Sequence, residues 1–185
     1  MDADDLPDDS APLASPPSVA EGGHDGVDET HPHGRTFLVV VDDSEEMNAA
    51  LAYACLRARV TGGRVALLRV IEPSEFQHFA FIDSIMEHEA RERAEQLLQR
   101  MAAEVNRRSG QLPMLYVREG KAVDELLSLV DEEPGLSILV LAAGKGKDGP
   151  GPLVTACGSG LMARLRVPVT IVPAGLSAED IERLA

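Results

Sequence analysis

With 185 residues, 44% of them hydrophobic and 26% charged, the chain is long enough to bury a core, which excludes a wholly disordered protein. Its 31 acidic residues against 17 Lys and Arg give a net charge of -14, so a basic surface for nucleic acid is not expected. Two cysteines, Cys55 and Cys157, are too few for a disulfide framework or a structural zinc site. No apolar run approaches the roughly 18 residues that span a bilayer. The opening Met1-Asp2-Ala3-Asp4-Asp5 is acidic where a secretory signal is basic, so a cytoplasmic protein is expected, with no membrane partner.

The first 34 residues hold five of the twelve prolines, three of the five histidines and nine acids, with no Lys or Arg before Arg35. Such a composition buries too little apolar surface to offset the entropy of ordering, and residues 1–34 are read as a disordered acidic tail. The remaining 151 residues carry 22 acids and 17 bases, so most of the net charge belongs to the tail. His24, His31 and His33 lie there beside carboxylates, but an unstructured tail holds no fixed metal geometry.

Thr36 to Val41 is a short apolar, β-branched run of the kind found in strands covered on both faces. Asp42, Asp43 and Ser44 follow as expected helix caps, and Met47, Leu51, Ala54, Cys55 and Ala58 recur at helical spacing until Gly62 and Gly63. A second strand is expected from Val65 to Ile71, then a long helix from about Ser84 to Arg108 with Met86, Ala90, Ala94, Leu97, Met101 and Val105 on one face. Leu115 to Val117 reads as a third strand, and Val123, Leu126, Leu127 and Val130 as the stripe of a helix ended by Pro134 and Gly135. Ser137 to Ala142 is the fourth strand. A Gly- and Pro-rich stretch then leads into a helix carrying Val154, Leu161, Met162 and Leu165, a fifth strand from Val167 to Val172, and a short helix capped by Ser177. Strands alternating with helices imply right-handed crossovers: one doubly wound α/β domain over 35–175, with a short helix or tail over 176–185.

In an open parallel sheet, ligands bind beyond the carboxyl ends of the strands where the strand order reverses. Asp42 trails the first strand. Gly144, Gly146, Gly149 and Gly151 trail the fourth and lead into Pro152 and Thr155, a turn that brings backbone N–H groups and a helix N-terminus toward an anion. Lys145 and Lys147 add positive charge. Pro152 suits the first helical position, where its missing N–H would go unpaired anyway.

On these residues the chain resembles the universal stress protein family over Arg35 to Pro173. The resemblance rests on the opening strand with Asp42-Asp43-Ser44, on Leu67-Leu68-Arg69-Val70-Ile71-Glu72-Pro73, on the Val117 to Gly120 segment, and on the closing Val167-Pro168-Val169-Thr170-Ile171-Val172-Pro173. It implies a five-stranded parallel sheet in the order 3-2-1-4-5 and an adenine nucleotide, ATP with Mg, as a regulatory ligand. Asp42 would face the ribose, the main chain of Val70 would meet adenine, and the loop holding Gly144, Gly146, Gly149, Gly151 and Thr155 would take the phosphates. Family ATP binders place nine residues between the second loop glycine and a Gly-Ser or Gly-Thr pair. Here eight separate Gly149 from Gly158-Ser159.

A phosphoacceptor receiver domain would need an Asp ending the third strand and a Lys ending the fifth; Arg118-Glu119 and Val172-Pro173 stand there, and Asp83 falls in the long helix pattern. The domain's two histidines, His78 and His88, lie away from the strand ends, so no catalytic residue is assigned and at most slow ATP hydrolysis is expected. Two readings follow. The chain is a stress-response module regulated by an adenine nucleotide, or a nucleotide-independent homodimeric interaction module acting on unidentified regulatory partners. A homodimer through the fifth strand, Val167 to Val172, is expected in both.

Overall fold

Four consecutive apolar side chains, Phe37, Leu38, Val39 and Val40, form a strand that points alternately into two hydrophobic layers, and this strand, β1 (Thr36–Val40), is the centre of the domain. A computed structural model describes residues 34–73, 80–146 and 149–184. The acidic tail with its three histidines, His78, Lys147 and Asp148 lie outside the described residues.

After β1 come α1 (Met47–Thr61), β2 (Arg64–Ile71), α2 (Ala80–Ser109), β3 (Met114–Glu119), α3 (Ala122–Glu132), β4 (Leu136–Ala143), α4 (Pro152–Gly158), a 3-10 turn (Leu161–Ala163), β5 (Val169–Pro173) and α5 (Ala178–Leu184). The five strands form one sheet in the order β3-β2-β1-β4-β5, and every neighbouring pair is parallel. On one face Phe37, Val39, Val65 and Leu67 pack with Ala50, Leu51 and Ala54 of α1 and Leu97, Leu98 and Val105 of α2. On the other, Leu38, Ala66, Leu68 and Leu139 pack with Leu126, Leu129 and Val130 of α3. Alternation along each strand thus builds the two layers of a doubly wound fold. No helix among the described residues is long and apolar enough to cross a membrane.

Helix α1 ends where the sequence predicts, because Gly62 takes a left-handed φ of 65° and the N–H groups of Gly62 and Gly63 both return to the carbonyl of Ala58. Cys55 is buried in this helix, and burial pushes its thiol up to about 11, so it remains protonated at neutral pH as a small apolar side chain. Ser177 caps α5: its Oγ accepts the N–H of Asp180 at 3.1 Å, while the Asp180 carboxylate accepts the N–H of Ser177 at 3.1 Å.

Four local expectations are corrected. Asp42, Asp43 and Ser44 do not cap α1; the N-cap is Glu46, and Asp42 instead closes a turn of its own by accepting the N–H of Ser44 at 2.9 Å. The helix expected to run through Leu161, Met162 and Leu165 stops at Gly158, and Gly160, at a φ of 110°, turns the chain into the 3-10 segment. Met162 and Met86, expected on core stripes, are 52% and 51% exposed. Strand β3 is longer than the three residues expected, because its charged Arg118 and Glu119 continue the edge ladder opposite Val70 and Ile71.

Candidate functional site

Strands β1 and β4 are parallel neighbours whose chains leave the sheet in opposite directions, toward β2 and toward β5, which opens a crevice beyond their carboxyl ends. The β1 end contributes Val41, Asp42 and Asp43. Asp42 is exposed, and its Oδ1 accepts both the N–H and, at 2.5 Å, the hydroxyl of Ser44, leaving Oδ2 without a partner among the described residues. Asp43 points the other way and pairs with Arg69 at 2.9 Å.

Val70 enters this site through its backbone. The N–H of Val41 donates to the Leu68 carbonyl at 2.7 Å, so Leu68 turns its peptide groups toward β1. The Ile71 carbonyl accepts Gly120 N–H at 3.0 Å on the β3 side. Successive residues of a parallel strand bond to opposite neighbours. The peptide groups of Val70 therefore face the β1 side, past the end of that strand, with no hydrogen-bond partner there among the described residues. A free N–H beside a free carbonyl is the pattern that reads the edge of a nucleobase.

The loop after β4 reaches the same crevice. A β-carbon at Gly144 would lie 2.6 Å from Oε1 of Glu46 and 3.0 Å from the Gly149 carbonyl, so the loop and the start of α1 touch there. Close approach, rather than a turn, is what requires glycine at this position. Gly149 and Gly151 do need positive φ, at 82° and 97°.

Among the described residues, several loop amides are turned inward rather than toward a ligand. The N–H of Gly144 donates to the Pro150 carbonyl at 3.4 Å and that of Gly149 to Gly146 at 3.2 Å, so two amides bond within the loop. Pro150 and Pro152 have no N–H to offer. Thr155 turns both its N–H and its hydroxyl back to the Gly151 carbonyl, at 3.0 and 2.9 Å. Lys145 is laid over Gly175, after β5, where any β-carbon would collide with its ammonium. Gly158 and Ser159 end α4 on the surface, with the Ser159 hydroxyl donating to Thr155. Glu46 sets a carboxylate against the loop at Gly144. The described residues do not fit a triphosphate with its magnesium ion. Among the described residues no group of three or more His, Cys, Asp or Glu is arranged to hold a metal.

Of the residues singled out by sequence, Asp42, the Val70 backbone, Gly144 and Gly149 fall at one end of the sheet, while Lys145 and Thr155 are turned elsewhere. Glu46 was missed. Nothing local distinguishes it from any acid near a helix start, and its importance comes only from the approach of Gly144.

The fold defines an open, doubly wound parallel α/β protein with its switch point between β1 and β4. The sequence profile of the universal stress protein family matches residues 34–173, and the chain belongs to that family. Among solved structures it is similar to the universal stress protein UspA from Lactobacillus plantarum, at 16% identity and a TM-score of 0.65, covering 76% of this chain and 98% of that one. It is also similar to a universal stress protein in complex with cAMP, at 15% identity and a TM-score of 0.55 over 77% of this chain and 99% of the other. A third is the universal stress protein from Archaeoglobus fulgidus in complex with dAMP, at 16% identity and a TM-score of 0.52, covering 75% and 97%. No curated protein matches the chain.

Proposed function

We propose that the chain is a stress-response module regulated by an adenine nucleotide bearing a single phosphate, held in the β1–β4 crevice. The observation that carries this reading is the unpaired peptide edge of Val70 beside the free Oδ2 of Asp42. The first recognises the base and the second a ribose hydroxyl. Glu46 and the inward-turned loop amides argue for a short phosphate over ATP. The cAMP and dAMP complexes of structural neighbours are in keeping with such a ligand. The two unbridged cysteines suit a reducing compartment such as the cytoplasm.

Calorimetry with AMP, cAMP and magnesium ATP tests this directly. AMP or cAMP is expected to bind more tightly than magnesium ATP, and Asp42→Ala to weaken that binding about tenfold through loss of a charged hydrogen bond. No heat with any of the three, together with no nucleotide released from the denatured pure protein, would end the reading.

A second reading, a nucleotide-independent interaction module, draws on the displacement of Lys145 onto Gly175 and on the same Glu46 carboxylate. In both readings β5 joins two copies. It is an edge strand with an unpaired outer ladder, and Ile171 is 43% exposed on it. Light scattering at micromolar concentration is expected to give the mass of a dimer, and Ile171→Glu that of a monomer. A wild-type monomer would remove the dimer from both readings.

A further inference from the structure

Between the end of β2 and the middle of α2 lies a cavity of about 390 Å³, within the size range of small-ligand pockets. Three guanidinium groups line it: Arg69 on the strand wall, Arg93 and Arg100 on the helix wall. Asp43, Glu72 and Gln96 complete its polar lining, and Ala94 and Leu97 are among its apolar residues. Arg69 sits here by strand alternation, on the same face as Val65 and Leu67. None of the described glycine-loop residues lines the cavity, which shares Asp43 and Val70 with the ends of β1 and β2 at the nucleotide crevice.

Three arginines face this space against two carboxylates, Asp43 and Glu72. Glu72 is held toward α3, its carboxylate accepting the N–H of Ala122 at 3.0 Å, a neutral donor that leaves its charge in place. Arg69 donates to Asp43 at 2.9 Å and to the Val41 carbonyl at 3.2 Å, yet its Nε is shut off from solvent with no acceptor among the described residues. Arg93 donates from Nε to the Glu89 carbonyl at 3.1 Å, and the Glu89 carboxylate stands 4.0 Å away. Arg100 has no hydrogen bond or ion pair among the described residues.

Arg93 and Arg100 are seven residues apart, two turns along one face of α2, which separates them by about 10 Å along the axis. Two cationic poles on one wall and a third charge opposite match a ligand with more than one acidic group. A guanidinium fork recognises carboxylate and phosphate oxygens alike.

We propose that this cavity binds a small organic polyanion, carrying two or more carboxylate or phosphate groups, between Arg69 and the pair Arg93 and Arg100. The proposal does not rest on the nucleotide reading: Arg93 and Arg100 lie on α2, and Arg69 meets the crevice only through Val41 and Asp43.

Citrate and fructose 1,6-bisphosphate serve as probes, titrated separately into the full chain by calorimetry at about 0.15 M salt, where long-range steering is screened. At least one is expected to bind with a dissociation constant of about 1 mM or tighter. Preference for citrate assigns the natural ligand to the carboxylates, and preference for the bisphosphate to the phosphates. Arg93→Gln and Arg100→Gln are each expected to weaken binding about tenfold. Both arginines are exposed, so melting temperatures should be unchanged. Arg164→Gln, which removes the same charge from an exposed ion pair outside the cavity, is expected to change binding less than about twofold. Absence of binding by both probes, or an Arg164→Gln effect equal to that of Arg100→Gln, would overturn the proposal.

Discussion

Leu38→Ala is expected to destabilise the domain by about 3 kcal/mol and to lower its melting temperature by roughly 10 °C. Leu38 lies in the central strand at 0% exposure and packs in the layer built by Leu68, Leu126, Leu129 and Leu139. Truncation removes buried methyl groups and leaves a cavity that two flanking strands, held in their ladders, cannot collapse to fill. Leu115→Ala provides the contrast: on the edge strand β3 and already 37% exposed, Leu115 should cost less than about 1 kcal/mol when truncated. Urea or thermal unfolding measures both. Equal losses at the two positions would contradict the placement of β1 at the sheet centre.

Glu46→Lys is expected to tighten magnesium ATP binding about a hundredfold, or about 2.7 kcal/mol, and to shift preference from one phosphate toward three. The wild-type carboxylate lies against Gly144, on the side where the proposed site would take a longer phosphate chain. Reversing its charge replaces repulsion with attraction at close range, and at an effective dielectric of about 20 each such interaction is worth a few kcal/mol before screening. Calorimetry with AMP and ATP on the variant reads the change. If ATP affinity stays at the wild-type level, Glu46 is not what excludes the longer phosphate.

The fold was legible wherever local pattern and tertiary demand coincide. The apolar runs at Thr36–Val40 and Leu136–Ala143 can be satisfied only by burial on both faces, and the strand order followed from the resemblance those runs carry. The stripe of α1 was readable because Met47, Leu51, Ala54, Cys55 and Ala58 repeat for about three turns without interruption, and all are buried. The break after α4 was not legible. Leu161 is buried like a helix stripe, yet Gly158-Ser159-Gly160 lets the chain change direction before reaching it.

Half of the crevice could be read in the same way. Asp42 and the glycines had to follow the ends of β1 and β4 once those strands were known. The contacts of Glu46 with Gly144 and of Lys145 with Gly175 join residues about 100 and 30 positions apart, which no spacing rule anticipates. The arginine cavity left one trace: Arg69 is a charge inside the otherwise apolar run from Val65 to Ile71, and a charge so placed needs a reason. The charged stretch ending at Arg93 resembles an ordinary solvated helix face, so its share in the cavity emerged only from the packing of α2 against β2.

The lysine draped across Gly175 ties the outer margin of the sheet to the turn that borders the ligand crevice. A methyl group introduced at 175 would evict the ammonium and free that cation to swing away from β5. Evolution or engineering could thus retune the electrostatics of the crevice from a residue that never meets a ligand, by altering nothing but the room left for one flexible arm.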